Sequence, residues 1–246
     1  MIYIDNLTVF NGVELSRWVL VDDIKRPVQP KRKLTTTFVP GQQVPHVSID
    51  GFEPYTITLH ARLRKHALAD VVEYRRSLTQ ALLANKPARL ILPDDTSRSY
   101  LAIYQGDDTI SIFENKTELE LTFLIIDPIA YGARHSQAVY ARSDAPLSIG
   151  GTQPTYPIFT LTVHSSGVTT IKKYHDGAYT HTLSVHTDTA GTIIIDCEQE
   201  SVTHTGGGKA YVDLASDFFT LEAGDMVVPN IIDPDKLIVT WEDRYV

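Results

Sequence analysis

The sequence predicts a mainly β chain in two parts: an N-terminal β-sandwich or barrel-like domain with one amphipathic helix, then a C-terminal β-sandwich. Three observations carry this reading. Apolar and polar residues alternate at period two in several short segments, as they do in strands with one wet face. One stretch only, between His66 and Ala84, repeats its apolar residues at helical spacing. Charge and turn composition both change near residue 140.

In the first part, Ile57 and Leu59 alternate with Thr56, Thr58 and His60. Leu101 and Ile103 form a shorter pattern that ends before the turn Gly106-Asp107-Asp108. Leu119, Leu121, Phe123 and Ile125 alternate with Glu118, Glu120 and Thr122. The helix is expected from Leu68, Val71, Val72, Leu78 and Leu82, with Glu73, Arg75, Arg76 and Gln80 outside that stripe. Asn85 suits a left-handed C-cap and Pro87 blocks continuation. The stretch from Ile24 to His46 is interrupted by Pro27, Pro30, Pro40 and Pro45, and only Leu34 to Val39 is strand-like. Two readings of it stand level: an extended arm, pre-stiffened by proline for docking on a neighbour, and a surface hairpin with basic decoration.

The second part reads as entirely β. Strands are expected at Ile158–Val163, Thr180–His186, Thr192–Cys197, Lys209–Leu214 and Leu237–Trp241. Turn signals separate them at Ser165-Ser166-Gly167, Asp176-Gly177, Ala190-Gly191, Gly206-Gly207-Gly208 and Ala223-Gly224-Asp225. That spacing fits a sandwich or jelly roll, with Phe218, Phe219 and Leu221 as bulky core residues.

Composition narrows the function classes. With 246 residues, 43% hydrophobic and 21% charged, the chain is neither a disordered tail nor a collagen-like fibre. The single cysteine, Cys197, excludes an internal disulfide framework. Neither a secretory signal at Met1–Asp5 nor an apolar run long enough to span a bilayer is visible, so a soluble product folded in a cytoplasm is expected. The net charge is zero over residues 1–140 and −8 over 141–246. Pro146, Gly150, Gly151, Pro154 and Pro157 cluster at the change, which places a first domain at 1–140, a linker at 141–157 and a second domain at 158–246. The acidic second part argues against a nucleic-acid partner. The dense basic group Lys25, Arg26, Lys31, Arg32 and Lys33 has no interleaved aromatic to stack on bases.

Candidate chemistry is sparse. His164, His175, His181, His186 and His204 lack compact metal-ligand spacing; His181 and His186 fall on opposite faces of a strand. Asp196, Glu198 and Glu200 would share a strand face about 6.5–7 Å apart, within the range of a glycosidase acid/base pair. A plain solvent face opposite Ile193, Ile195 and Cys197 is the favoured reading. Gly206-Gly207-Gly208-Lys209 lacks phosphate-loop spacing and reads as a hairpin tip. His175-Asp176 has no serine in a nucleophile elbow, and the sequons at Asn6 and Asn115 are chance matches. No catalytic, metal or cofactor site is expected.

The order of features resembles the distal tail protein family of siphophages, mainly those of Gram-positive hosts. In the first part the similar segments are Leu90-Ile91-Leu92-Pro93-Asp94, Tyr100 to Ile103, and Leu121 to Ile126 followed by Asp127-Pro128 and Tyr131-Gly132. In the second they are Pro154-Thr155-Tyr156-Pro157, Ile193 to Asp196, Ser216-Asp217-Phe218-Phe219, Leu221, Gly224-Asp225 and Val239 to Tyr245. Where relatives often carry a Gly-Arg-Asp-Gly-like turn, this chain reads Pro40-Gly41-Gln42-Gln43-Val44. The resemblance implies a ring-forming first domain and a galectin-like second one. It also implies a virion protein at the tail tip, assembled in the host cytoplasm: a homohexameric hub between the major tail tube protein and the tail-associated tip protein, with peripheral baseplate or receptor-binding proteins docked outside. It implies no enzyme activity, cofactor, metal, membrane or sequence-specific nucleic-acid partner. Lys25, Arg26, Pro27, Pro30, Lys31, Arg32 and Lys33 are the candidate ring-contact arm. The competing readings are a carbohydrate-binding module for cell-wall glycan and a glycosidase using Asp196, Glu198 or Glu200.

Overall fold

The computed structural model describes residues 7–64, 68–106, 110–113, 116–140, 147–231 and 235–246. Asp107 and Asp108 of the expected turn, His66, Pro146 and the sequon residues Asn6 and Asn115 lie outside them. The fold is mainly β, and the chain divides into two compact units, Met1–Tyr131 with Val246 and Gly132–Tyr245.

The first unit opens with β1 (Val9–Phe10) and β2 (Val13–Glu14), joined by Asn11-Gly12. Both loop residues have positive φ, 52° and 75°, the requirement of a type I′ hairpin turn. A single 3₁₀ turn, Leu15–Arg17, leads to β3 (Val19–Lys25). Then come β4 (Arg32–Thr37), β5 (His46–Phe52), β6 (Tyr55–Leu63), α1 (Leu68–Leu82), β7 (Ala88–Leu92), β8 (Asp95–Tyr104), β9 (Ile110–Phe113) and β10 (Lys116–Val139). The main sheet is antiparallel throughout: β3 pairs β6, β6 pairs β10, β10 pairs β8 and β9, β8 pairs β7, and β7 pairs β1. Among the described residues, β4 and β5 pair only with each other.

The alternation seen in the sequence sets the faces. Ile57, Leu59, Leu121, Phe123 and Ile125 are buried together with Phe10, Leu90 and Leu92. The Phe123 ring lies 5.1 Å from Phe10 and 5.6 Å from Tyr104. On α1 the buried residues are Val71, Leu78, Ala81 and Leu82, whereas Val72 is exposed. At about 100° per residue, Val72 is already turned off the stripe that Val71 begins. The register of β10 against β8 shifts on either side of Asp127. Pro128 follows directly, and a proline with no N–H to give the ladder is placed at such irregularities.

The second unit takes over β10 at Gly132 and adds β11 (Ile158–Val163), β12 (Gly167–His175), β13 (Ala178–Thr187), β14 (Gly191–Asp196), β15 (Ser201–Thr205), β16 (Ala210–Val212), β17 (Asp225–Pro229) and β18 (Lys236–Tyr245). One sheet runs β15-β14-β11-β18 and continues to β10; the other runs β16-β13-β12-β17. Phe159, Leu161, Ile193, Ile195, Val239 and Trp241 from the first sheet pack with Ile171, Leu183, Val185 and Val227 from the second. Phe219 and Leu221 join this core, with Phe218 packed at its margin.

Three strands of the second unit escaped the sequence reading. β12 and β17 place Lys173 and Asp225 at inward positions, which breaks the apolar alternation, and β15 carries Val202 as its single aliphatic residue. The Gly206–Gly208 run is not a hairpin tip, because it connects β15 of one sheet to β16 of the other. The described part of the proline- and glycine-rich stretch, 147–157, is laid along the second unit. The Leu147 N–H donates to the Asp225 carbonyl at 3.0 Å, and Thr155 exchanges backbone bonds with Leu221 at 2.9 and 2.7 Å. Leu147 and Ile149 are buried.

Candidate functional site

Among the described elements of the first unit, the β4–β5 hairpin is the most exposed. All of β4 and all of β5 except Phe52 are solvent-exposed. The pairing puts Leu34 opposite Ile49 and Thr36 opposite Val47, and directly opposed residues share a face. Leu34, Thr36, Val47 and Ile49 therefore form one side, with Thr35, Thr37, His46 and Ser48 on the other. Leu34, Val47 and Ile49 are 56, 57 and 59% exposed, and Phe38 just past β4 is 75% exposed. An isolated two-stranded hairpin is marginal in water, and a strand pair with one apolar face specifies something to cover it.

The polar side is organised internally. The hydroxyls of Thr35 and Ser48 both donate to the Asp50 carboxylate. These bonds, helped by the nearby charge of Lys33, hold Asp50 below the usual carboxylate range. The base of the hairpin is closed by the Glu53 N–H donating to the Lys31 carbonyl at 2.7 Å and by a Lys31–Glu53 ion pair at 2.9 Å.

The candidate arm residues flank this hairpin in different roles. Lys25 ends β3 opposite Thr58 and is exposed. Arg26 turns onto its own unit, 2.6 Å from Asp94, with Nη1 donating to the Tyr100 hydroxyl at 3.2 Å. Pro27 is exposed and Pro30 half-buried on the way into β4. Arg32 places its guanidinium 6.0 Å from the Phe52 ring, while Lys33 is exposed. Much of the basic charge is thus engaged within the chain. What the hairpin offers outward is chiefly aliphatic and aromatic surface, and β5 is the half that sequence reasoning missed. Its signal was there in the alternation Val47-Ser48-Ile49-Asp50, obscured by Pro45 before it and Gly51 after it.

The other sequence candidates are held apart. Asp196 ends β14, and its Oδ1 accepts the N–H groups of Glu198 and Gln199 at 2.9 and 3.0 Å. It caps a turn, and Glu200 follows at φ 49°. The three carboxylates are therefore not aligned on one strand face. His164 lies 3.0 Å from Asp235, His175 2.7 Å from Asp225, and His186 2.7 Å from Asp213. His204 has the Thr189 hydroxyl at 3.5 Å, and His181 packs 6.0 Å from the Phe219 ring. Among the described residues no group of three His, Cys, Asp or Glu is arranged to hold a metal ion. Burial pushes the Cys197 thiol up to about 12, which leaves it a protonated core residue.

The most charged interior feature is structural. Asp225 is fully buried at the start of β17, with Lys173 Nζ at 2.8 Å from its Oδ2 and the Glu222 N–H donating to the same oxygen at 2.7 Å. Lys173 also donates to the Thr220 carbonyl at 2.8 Å. Both charges are thus satisfied, as buried ions must be. Asp243 does a similar job elsewhere in this unit, accepting the Gly150 N–H at 2.9 Å and lying 2.9 Å from His135 Nε2.

The second unit is thus a two-sheet sandwich along which the described Pro/Gly-rich segment 147–157 is laid. Residues 150–245 match the family model described as Siphovirus-type tail component, C-terminal domain. Over its whole length the chain is similar to the SPP1 Dit protein, whose structure is described as a paradigm of the hub adsorption apparatus in phages infecting Gram-positive hosts. The TM-score is 0.79 at 14% identity, covering 98% of this chain and 99% of that one. It is also similar to chains in the phage p2 baseplate in its activated conformation. With strontium the TM-score is 0.51 at 12% identity, and with calcium 0.50 at 13%; each match covers 90% of both chains. No curated protein matches the chain.

Proposed function

We propose that this chain is a distal tail protein, a structural hub at the tip of a siphophage tail. The observation that carries the proposal is correspondence of fold over 98% of the chain with a protein described as an adsorption-apparatus hub. The family match of the second unit supports it independently. In this reading the first unit closes copies of the chain into a homohexameric ring. The β4–β5 hairpin and the flanking residues Lys25, Arg26, Pro27, Pro30, Lys31, Arg32 and Lys33 serve as the arm toward a neighbour. A head-to-tail contact reused by every copy forms a ring when its rotation closes. The ring stacks between the tail tube protein and the host-facing tip protein, and the acidic second unit docks peripheral baseplate or receptor-binding proteins. The chain makes and breaks no covalent bonds.

Antibody raised against the purified chain and detected with gold on intact phage particles tests the placement. Gold at the tail tip is expected; particles labelled elsewhere, or not at all, would overturn it.

A further inference from the structure

The sheet β16-β13-β12-β17 has a second side that the core of the sandwich does not use. Ile171, Leu183 and Val185 face inward, so the alternate residues of β12 and β13 face out. The register aligns these in two neighbouring rows. Val168, His186 and Tyr211 lie opposite one another across β12, β13 and β16. Two residues along, Thr170 lies opposite Ser184, and Asp213 prolongs β16 beside it, its N–H donating to the Ser184 carbonyl at 3.1 Å. Residues two apart in a strand are spaced by about 6.5–7 Å. A row of ring and aliphatic surface thus runs beside a row of hydroxyl and carboxylate groups. Tyr211 is 60% exposed and Val168 52%. The Tyr211 ring is parallel to that of His186 within 3°, with 4.8 Å between centroids. Among the described residues β16 ends this sheet, so no further strand of it covers the other face of Tyr211. Asp213 Oδ1 lies 2.7 Å from His186 Nε2, which holds the carboxylate beside the ring pair while 46% of that side chain stays exposed.

We infer that these two rows form a binding site for a neutral saccharide, with Tyr211 as its platform. The chemistry selects this ligand class. A pyranose ring has a side of C–H bonds and a rim of hydroxyls. The electron-rich face of a tyrosine ring attracts the first. The second row answers the rim: Asp213 accepts hydroxyl protons, and the hydroxyls of Thr170 and Ser184 both donate and accept. Charges of both signs flank the rows, because Lys172, exposed and two residues past Thr170, shares its side of β12. An anion would meet Asp213 and a cation would meet Lys172, whereas a neutral polyol can bond to both. A purely apolar segment would strip water from the second row without replacing its hydrogen bonds. The site uses residues of the second unit alone and does not depend on the hub reading.

The test presents the full-length chain to a printed array of neutral and acidic oligosaccharides and titrates the strongest wild-type hit by calorimetry. Retention of at least one neutral oligosaccharide is expected. Tyr211→Ala should weaken its association constant at least about tenfold, and Asp213→Asn should weaken it as well. Tyr211→Phe keeps the ring and should stay within about threefold of wild type. These side chains are exposed, so the denaturation midpoints of the variants should match wild type, which separates lost binding from lost folding. Four outcomes overturn the site: no neutral oligosaccharide retained, retention of acidic ones only, wild-type binding by Tyr211→Ala, or Tyr211→Phe as weak as Tyr211→Ala. Annular particles are scored on the same wild-type preparation. Their absence would refute the hub reading and leave the saccharide site standing, and their presence without saccharide binding would do the reverse.

Discussion

Replacing Leu34 and Ile49 together by serine should weaken self-association without destabilising the single chain. The two side chains face each other across β4 and β5 and are 56 and 59% exposed. Full burial of a leucine or isoleucine is worth roughly 1.5–3 kcal/mol, so docking can recover somewhat over half of that from each. The pair should cost about 2–3.5 kcal/mol per interface, a roughly 30- to 300-fold weaker association constant. Sedimentation velocity over a concentration series reads this directly. Chemical denaturation of the dilute, unassembled chain should move by no more than about 0.5 kcal/mol, the usual range for surface changes. An unchanged sedimentation profile would refute the idea that this hairpin face is a contact. So would a large loss of stability in the monomer, which would mean that the residues are packed within their own chain.

Three further outcomes test the physical account of the second unit. Asp225→Ala should destabilise that unit by about 3–5 kcal/mol, because it leaves Lys173 buried and uncompensated, and Trp241 fluorescence in a Trp18→Phe background should report it during denaturation. Gly151→Ala should cost more than the roughly 1–3 kcal/mol of backbone strain alone, since φ is +91° and a Cβ would meet the Arg244 carbonyl oxygen at 2.2 Å; the same denaturation assay applies. His175 has its pKa raised, first by its hydrogen bond to Asp225 and then by the nearby charge of Asp176. A group whose folded pKa is raised stabilises most below its unfolded value near 6.5 and loses that contribution as pH climbs through the folded value. The denaturation midpoint should accordingly fall as pH rises from 6 past neutrality, and His175→Gln should flatten that part of the profile.

Much of the fold was legible because burial follows short-range pattern. The alternations at 56–60 and 118–125, the helix over 68–82 and the strand Ile158–Val163 all emerge where period alone predicts them. What stayed hidden involves long-range compensation. β12 and β17 were obscured because Lys173 and Asp225 occupy inward positions that are tolerable only when paired, and the pairing spans 52 residues of sequence. The stretch 147–157 reads as linker by composition, yet Leu147 and Ile149 find cover on distant strands. For the candidate site, composition drew attention to the basic residues, while the exposed apolar side needed the β4–β5 register to become visible. Asp196, Glu198 and Glu200 looked like a face only on the assumption that the strand continued, and the turn after Asp196 ends it.

Electron microscopy of the purified, full-length chain at micromolar concentration tests the central claim most directly. Closed annular particles with six-fold class averages are predicted, and the Leu34→Ser/Ile49→Ser chain should show them only at much higher concentration. Single-copy particles from the wild-type chain throughout the accessible concentration range, or open filaments in place of rings, would contradict a ring-forming hub.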